Sequence, residues 1–170
     1  MRQLGARDAN EDIRVSSVQL GVVKCSHTTV RNEDYHRSSV FNTYITDEGK
    51  NYKLMINGGS CANIITKIAL EKMSLKAEHP HPYNVNCVDK TAQSITQHCQ
   101  VPIHMSSCQD RVWCDVLDIN AAHILVSRSW LYDLDVTSLG KSNTYEFKFK
   151  IKKTMLKPAK PKLNVWNNKE

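Results

Sequence analysis

Leu54-Met55-Ile56-Asn57-Gly58-Gly59-Ser60-Cys61-Ala62-Asn63-Ile64-Ile65 is the stretch on which the reading of this chain turns. An apolar run leads into Asn-Gly-Gly, which by itself marks a strand ending in a turn. Small residues follow, and apolar side chains then recur at Ile64, Ile65, Ile68, Ala69 and Met73. Those positions share one helical face, so a helix is expected near residues 63–73.

On either side the pattern is mostly β. Val40 to Thr46 is rich in β-branched and aromatic residues, Asp47-Glu48-Gly49-Lys50 supplies a turn, and Tyr52 to Ile56 returns. Cys99, Val101, Ile103 and Met105 alternate with mostly polar residues, as a half-buried strand requires. After the turn-like Ser106-Ser107-Cys108-Gln109-Asp110, the alternation resumes at Val112, Cys114 and Val116. Ala122 to Val126 suits a buried strand. Tyr145, Phe147 and Phe149 line one face of another, with Thr154 to Leu156 expected to pair with it. A second short helix is expected over Ser129 to Leu134. Many short strands and two minor helices point to a compact, mainly β, barrel-like domain.

The chain has 170 residues, 41% of them hydrophobic, enough for one core with tails. Its parts read as a polar linker (1–21), a folded domain (22–156) and a basic Pro/Lys tail (157–170). No apolar run is long enough to span a membrane, and Met1 to Asp8 has no stretch of signal-peptide length. An intracellular protein, cytoplasmic or nuclear and not secreted, is therefore expected, with its six cysteines as free thiols. No two of Cys25, Cys61, Cys87, Cys99, Cys108 and Cys114 have CxxC spacing. His98 and Cys99 point to opposite faces of a strand, which leaves His79 and His81 as the other pair worth weighing. No metal site and no cofactor are expected; most of the thiols read as small buried hydrophobes.

The net charge of +6 invites a nucleic-acid reading, but the charge is concentrated. From Lys148 onward eight lysines face one acid, a net +7, so residues 1–147 together carry −1. The basic excess reads as a solvated tail whose contact with nucleic acid would be nonspecific.

The quoted stretch resembles the active-site loop of retropepsins, in which an apolar strand delivers Asp, then Ser, Thr or Gly, then Gly. In plant gypsy-type LTR retrotransposons that loop commonly continues as Ser-Cys-x-Asn and an apolar residue, which Ser60-Cys61-Ala62-Asn63-Ile64 matches. His79-Pro80-His81-Pro82-Tyr83 looks like the entry to the family's flap, and Val101-Pro102-Ile103 and Trp113-Cys114-Asp115-Val116 like the strands after it. His123 to Asp133 resembles the second signature, two apolar residues then Gly-Arg-Pro-Trp, and Ser142 to Phe147 the closing hairpin. The resemblance runs from Val22 to Pro161. The tripeptide alone is weakly specific; five segments in order are strongly so.

The resemblance implies a closed retropepsin-like β-barrel, from a Gag-Pol polyprotein or a gene derived from one, that works as a homodimer with one catalytic Asp per chain. It places Asn57, Gly58 and Gly59 at the catalytic position, and Ser60, Cys61 and Ala62 along a bound peptide or polyprotein segment. Tyr83 to Ile103 would form the flap, with its tip at Asp89, Lys90, Thr91 and Ala92. Three departures stand out: Asn57 replaces the Asp, Ser127 the glycine of the second signature, and Ser129 its proline. Ser127 is expected to crowd the loop, because glycine lets the strand pass close.

Aspartic-protease chemistry needs two carboxylates that share a proton, the arrangement for which these enzymes are the standing example. An amide offers one carbonyl acceptor and two N–H donors and does not titrate, so it cannot serve as the base. No Gly-x-Ser-x-Gly elbow, HExxH or phosphate-binding glycine loop offers another chemistry. The expectation is an aspartic endopeptidase domain that is inactive as written, a degenerate copy. Its rivals are a peptide-binding or dimerising module, an endopeptidase active after Asn57→Asp, and a decayed element under no selection. Asn57-Gly58 is also prone to deamidation, since glycine leaves the backbone nitrogen free to attack the side-chain amide.

Overall fold

The computed structural model describes residues 18–20, 39–87 and 92–160, with the backbone alone for 18–20 and 86–87. Its centre is a six-stranded curled sheet. Strands β2 (Asn42–Asp47) and β3 (Lys50–Asn57) form a hairpin over Glu48 and Gly49, both at positive φ (46° and 75°). That pairing of left-handed residues matches the right-handed twist of the flanking strands. Along β3 the side chains alternate. Tyr52, Leu54 and Ile56 enter a main core, whereas Met55 enters a second apolar cluster on the opposite face.

Beyond the loop come β4 (Ile64–Ile65) and helix α1 (Lys67–Lys72). The expected helix over 63–73 is thus shorter, and its first turn is strand. Ile64 and Ile65 are wedged between two neighbours, one parallel and one antiparallel, which satisfies their backbone and buries both side chains. Thr66 then starts the helix: its Oγ1 accepts from the Ala69 N–H at 3.3 Å. Ile68, expected on the apolar face, is 58% exposed.

A small sheet contains β1 (Val18–Leu20), β5 (Tyr83–Cys87) and β6 (Ala92–Ile95). β5 and β6 pair antiparallel, and β1, inside the stretch read as linker, runs parallel along β5. The hairpin expected over 83–103 is shorter in the structure. The hairpin ends at Ile95, because β7 (His98–Met105) joins β8 (Cys108–Val116) in the main sheet over a tight turn at Ser106 and Ser107. Cys99, Val101, Ile103 and Met105 all point into the main core, as their alternation requires.

β9 (Ile124–Ser127) lies parallel to β3 in the register Leu54↔Ile124 to Asn57↔Ser127, and leads into α2 (Arg128–Asp133). Strands β10 (Thr137–Leu139), β11 (Thr144–Phe149) and β12 (Lys152–Leu156) form a third sheet, in which Thr154 to Leu156 pairs with β11 as expected. Phe147 seals the main core edge-on to Trp130, with centroids 5.5 Å apart.

The main sheet has the order β2-β3-β9-β4-β8-β7. Its edge strands β2 and β7 touch, but no ladder joins them among the described residues, so the sheet is curled and mainly β rather than a hydrogen-bonded closed barrel. Among those residues no helix is long and apolar enough to cross a membrane.

Candidate functional site

The parallel strands β3 and β9 end side by side at Asn57 and Ser127. From there the chain turns through two exposed glycines into buried Ser60. The Gly59 N–H donates to Asn57 Oδ1 at 3.0 Å, and the Ser60 N–H to the Asn57 carbonyl at 3.2 Å. A Cβ on Gly58 would lie 3.3 Å from Leu131 Cδ1, and one on Gly59 would lie 3.3 Å from Asn57 Oδ1. Glycine at both places therefore lets α2 and the Asn57 amide close on the loop. The Ser60 carbonyl accepts the Arg128 N–H at 2.9 Å, which satisfies a donor at the start of α2.

The far end of the loop is held by Asn63. Its Oδ1 accepts both the Ser127 N–H (2.8 Å) and the Ser127 hydroxyl (2.9 Å), and its Nδ2 donates to the Trp113 carbonyl at 3.2 Å. One amide thus ties the loop to β9 and β8. Ser127 is fully buried, and its Oγ also lies 3.0 Å from Ser129 Oγ. The expected crowding is absent: the serine fills a polar slot for which Asn63 supplies the acceptor. Both serines that depart from the second signature belong to this network.

Of the residues expected along a peptide, Cys61 and Ala62 line a cleft of about 540 Å³, together with Asn63, Tyr83, Asp115 and Ser129. Ser60 faces inward, its hydroxyl donating to the Ala62 carbonyl at 3.2 Å. Ala92 is exposed at the start of β6, away from this loop in sequence and outside the cleft lining; Asp89, Lys90 and Thr91 lie outside the described residues.

Tyr83 and Asp115 carry no mark in the sequence as partners, yet the Tyr83 hydroxyl hydrogen-bonds the Asp115 carboxylate across the cleft. Burial raises the Asp115 pKa against the lowering effects of that bond and of nearby His98. Burial and the neighbouring carboxylate also push the Tyr83 phenol far up, so it stays a donor. His98 sits opposite Asp115 in the β7–β8 register and stacks on Trp113 at 4.6 Å. Its Nε2 is 3.7 Å from Glu78 Oε2.

The buried thiols of Cys99 and Cys108 are pushed up to about 11, chiefly by desolvation, which makes them poor nucleophiles and poor metal ligands. Cys61 is exposed. Among the described residues no three of His, Cys, Asp and Glu cluster as a metal site would need.

Among solved structures, the chain is similar to the retroviral protease-like domain of Ddi1 from Leishmania major. The identity is 12%, the match covers 69% of this chain and 94% of that one, and the TM-score is 0.47. No protein-family model and no curated protein matches the sequence.

Proposed function

We propose that this chain is one lobe of a retropepsin-like aspartic-protease dimer that holds an extended peptide without cutting it. The observation that carries the reading is the position of Asn57. It is the last residue of β3, in register with the end of β9, and opens onto two exposed glycines. A second chain related by a two-fold axis at that loop would bring two Asn57 side chains together. Two amides offer donors and acceptors to a peptide but no group that gains and loses a proton near neutral pH.

The motif resemblance favours an origin in a retrotransposon polyprotein. The cleft lined by Cys61 and Ala62 would receive the peptide, and the β5–β6 hairpin would act as its cover. The basic segment from Lys148 would add at most salt-sensitive contact with nucleic acid.

The test is a peptidase assay on the purified protein beside its Asn57→Asp variant. The protein with Asn57 should show no turnover across roughly pH 3 to 8, for want of a titrating dyad. The variant should cut peptides and be stopped by a transition-state-like aspartic-protease inhibitor. Inhibitor-sensitive turnover by protein verified to retain Asn57 would end this reading.

A further inference from the structure

Asn57 is the only asparagine in the chain followed by glycine; every other asparagine precedes a residue with a side chain. Sequence alone makes this a reactive bond. The fold adds two features. The Gly59 N–H donates to Asn57 Oδ1 at 3.0 Å, closing a ring that contains both Asn57 Cγ and the Gly58 nitrogen. The same N–H polarises the side-chain carbonyl in the direction in which negative charge develops when a nucleophile adds to Cγ, as a donor in an oxyanion hole does. Gly58 and Gly59 are exposed, so water reaches the bond, and no Cβ shields it.

We propose that Asn57 is a self-modification site, a latent aspartate whose conversion the folded loop promotes. Solvent hydroxide takes the Gly58 amide proton, and the nitrogen forms a bond to Asn57 Cγ. The carbonyl electrons move to Oδ1, whose negative charge the Gly59 N–H stabilises by hydrogen bonding. As the carbonyl re-forms, the Cγ–Nδ2 bond breaks and Nδ2 leaves as ammonia after taking a proton from water. A cyclic imide remains. Water opens it at either carbonyl, giving aspartate or isoaspartate. The net change is amide plus water to carboxylate plus ammonium, with no oxidant or reductant. The conversion stands apart from the proposed function. Its consequence, that each aspartate formed at position 57 restores a carboxylate to the site, rests on that reading.

The experiment incubates the whole protein in mildly alkaline buffer beside a synthetic peptide of residues 54–62, and beside the protein unfolded in urea. Peptide mapping follows deamidation at each asparagine. In the folded protein Asn57 should convert roughly tenfold faster than in the peptide, equivalent to ~1.4 kcal/mol off the barrier. Urea should bring the rate down to the peptide's. A folded rate equal to or below the peptide's overturns the proposal, since the loop would then protect the bond. Peptidase activity growing with the aspartate fraction, and absent from an Asn57→Gln variant aged in parallel, supports the consequence. Conversion without activity leaves the modification site standing and removes position 57 from the catalytic reading.

Discussion

The Asn57–Asn63 loop and the β5–β6 hairpin flank the same cleft but are held by different forces. The loop is tied by polar bonds at both ends: Asn57 Oδ1 to Gly59, Ser60 to Arg128, and Asn63 to Ser127 and Trp113. Among the described residues the hairpin rests on apolar contact, with Val85 and Ile95 buried in a cluster with Met55, Ile64 and Leu125, and on the Tyr83–Asp115 bond, while β1 pairs along β5. Directional bonds fix a loop's geometry, whereas apolar packing sets how strongly an element docks without fixing it as tightly. The loop is therefore fixed in direction by its hydrogen bonds, and the hairpin is docked mainly by apolar burial.

The most damaging single change to this division should be at Asn63. Asn63→Ala removes the acceptor for the buried Ser127 N–H and the donor to Trp113, and should cost ~2–4 kcal/mol of global stability in urea unfolding. A loss within a few tenths of a kcal/mol would mean that water replaces the amide and the loop is not held from this side.

Next comes the hairpin. Ile95→Ala should cost ~2 kcal/mol, at the lower end for a buried isoleucine because the hairpin can undock rather than leave a cavity. Hydrogen exchange should then quicken in β5 and β6 while β3 and β9 keep their protection. Uniform quickening would show that hairpin and sheet are one cooperative unit.

A subtler change is expected in pH dependence. Burial raises the pKa of Asp115 above 3.8, so the folded chain binds more protons at this group than the unfolded chain. That contribution to stability should be fully present below the unfolded value and be lost as pH rises through the raised one. Tyr83 and His98 face the same group and both oppose the shift, and Glu78 in turn faces His98. Asp115→Asn keeps an acceptor for Tyr83 and should flatten the pH profile of stability in urea unfolding. An unchanged profile would place the titration elsewhere.

Much of this contrast was visible in the sequence, unevenly. β7 and β8 were legible because every second residue from Cys99 to Met105 and from Val112 to Val116 is apolar, a pattern only a half-buried strand satisfies. The same pattern should have ended the hairpin before His98. Ile64 and Ile65 misled because two residues are too few to show a period, and they borrowed the helical spacing of Ala69 and Met73. The site divides similarly. Asn57 and its glycines stood out as a motif. The role of Asn63 did not, because its partner Ser127 is 64 residues away and only the pairing of β9 with β4 and β3 brings them together. Tyr83 and Asp115 were hidden for the same reason.

If Asn57 lies at a two-fold interface and leaves it without a titrating dyad, the dimer's response to pH must differ from that of an aspartate-bearing one. Sedimentation equilibrium at several pH values, on the protein and its Asn57→Asp variant, reads that difference. In the variant, association forces two carboxylates together and raises the pKa of one above about 3.9, so dimerisation takes up a proton. That dimer should be strongest below the free value and lose affinity as pH rises toward the raised one. The loss is about 1.4 kcal/mol for each pH unit that separates the two values. The protein with Asn57 has no carboxylate there to titrate, and its dimer should show no dyad-dependent loss between roughly pH 4 and 7. The variant should therefore show the steeper pH dependence. The same pH dependence in both proteins would put position 57 away from any two-fold axis, and the retropepsin-dimer reading would fall with it.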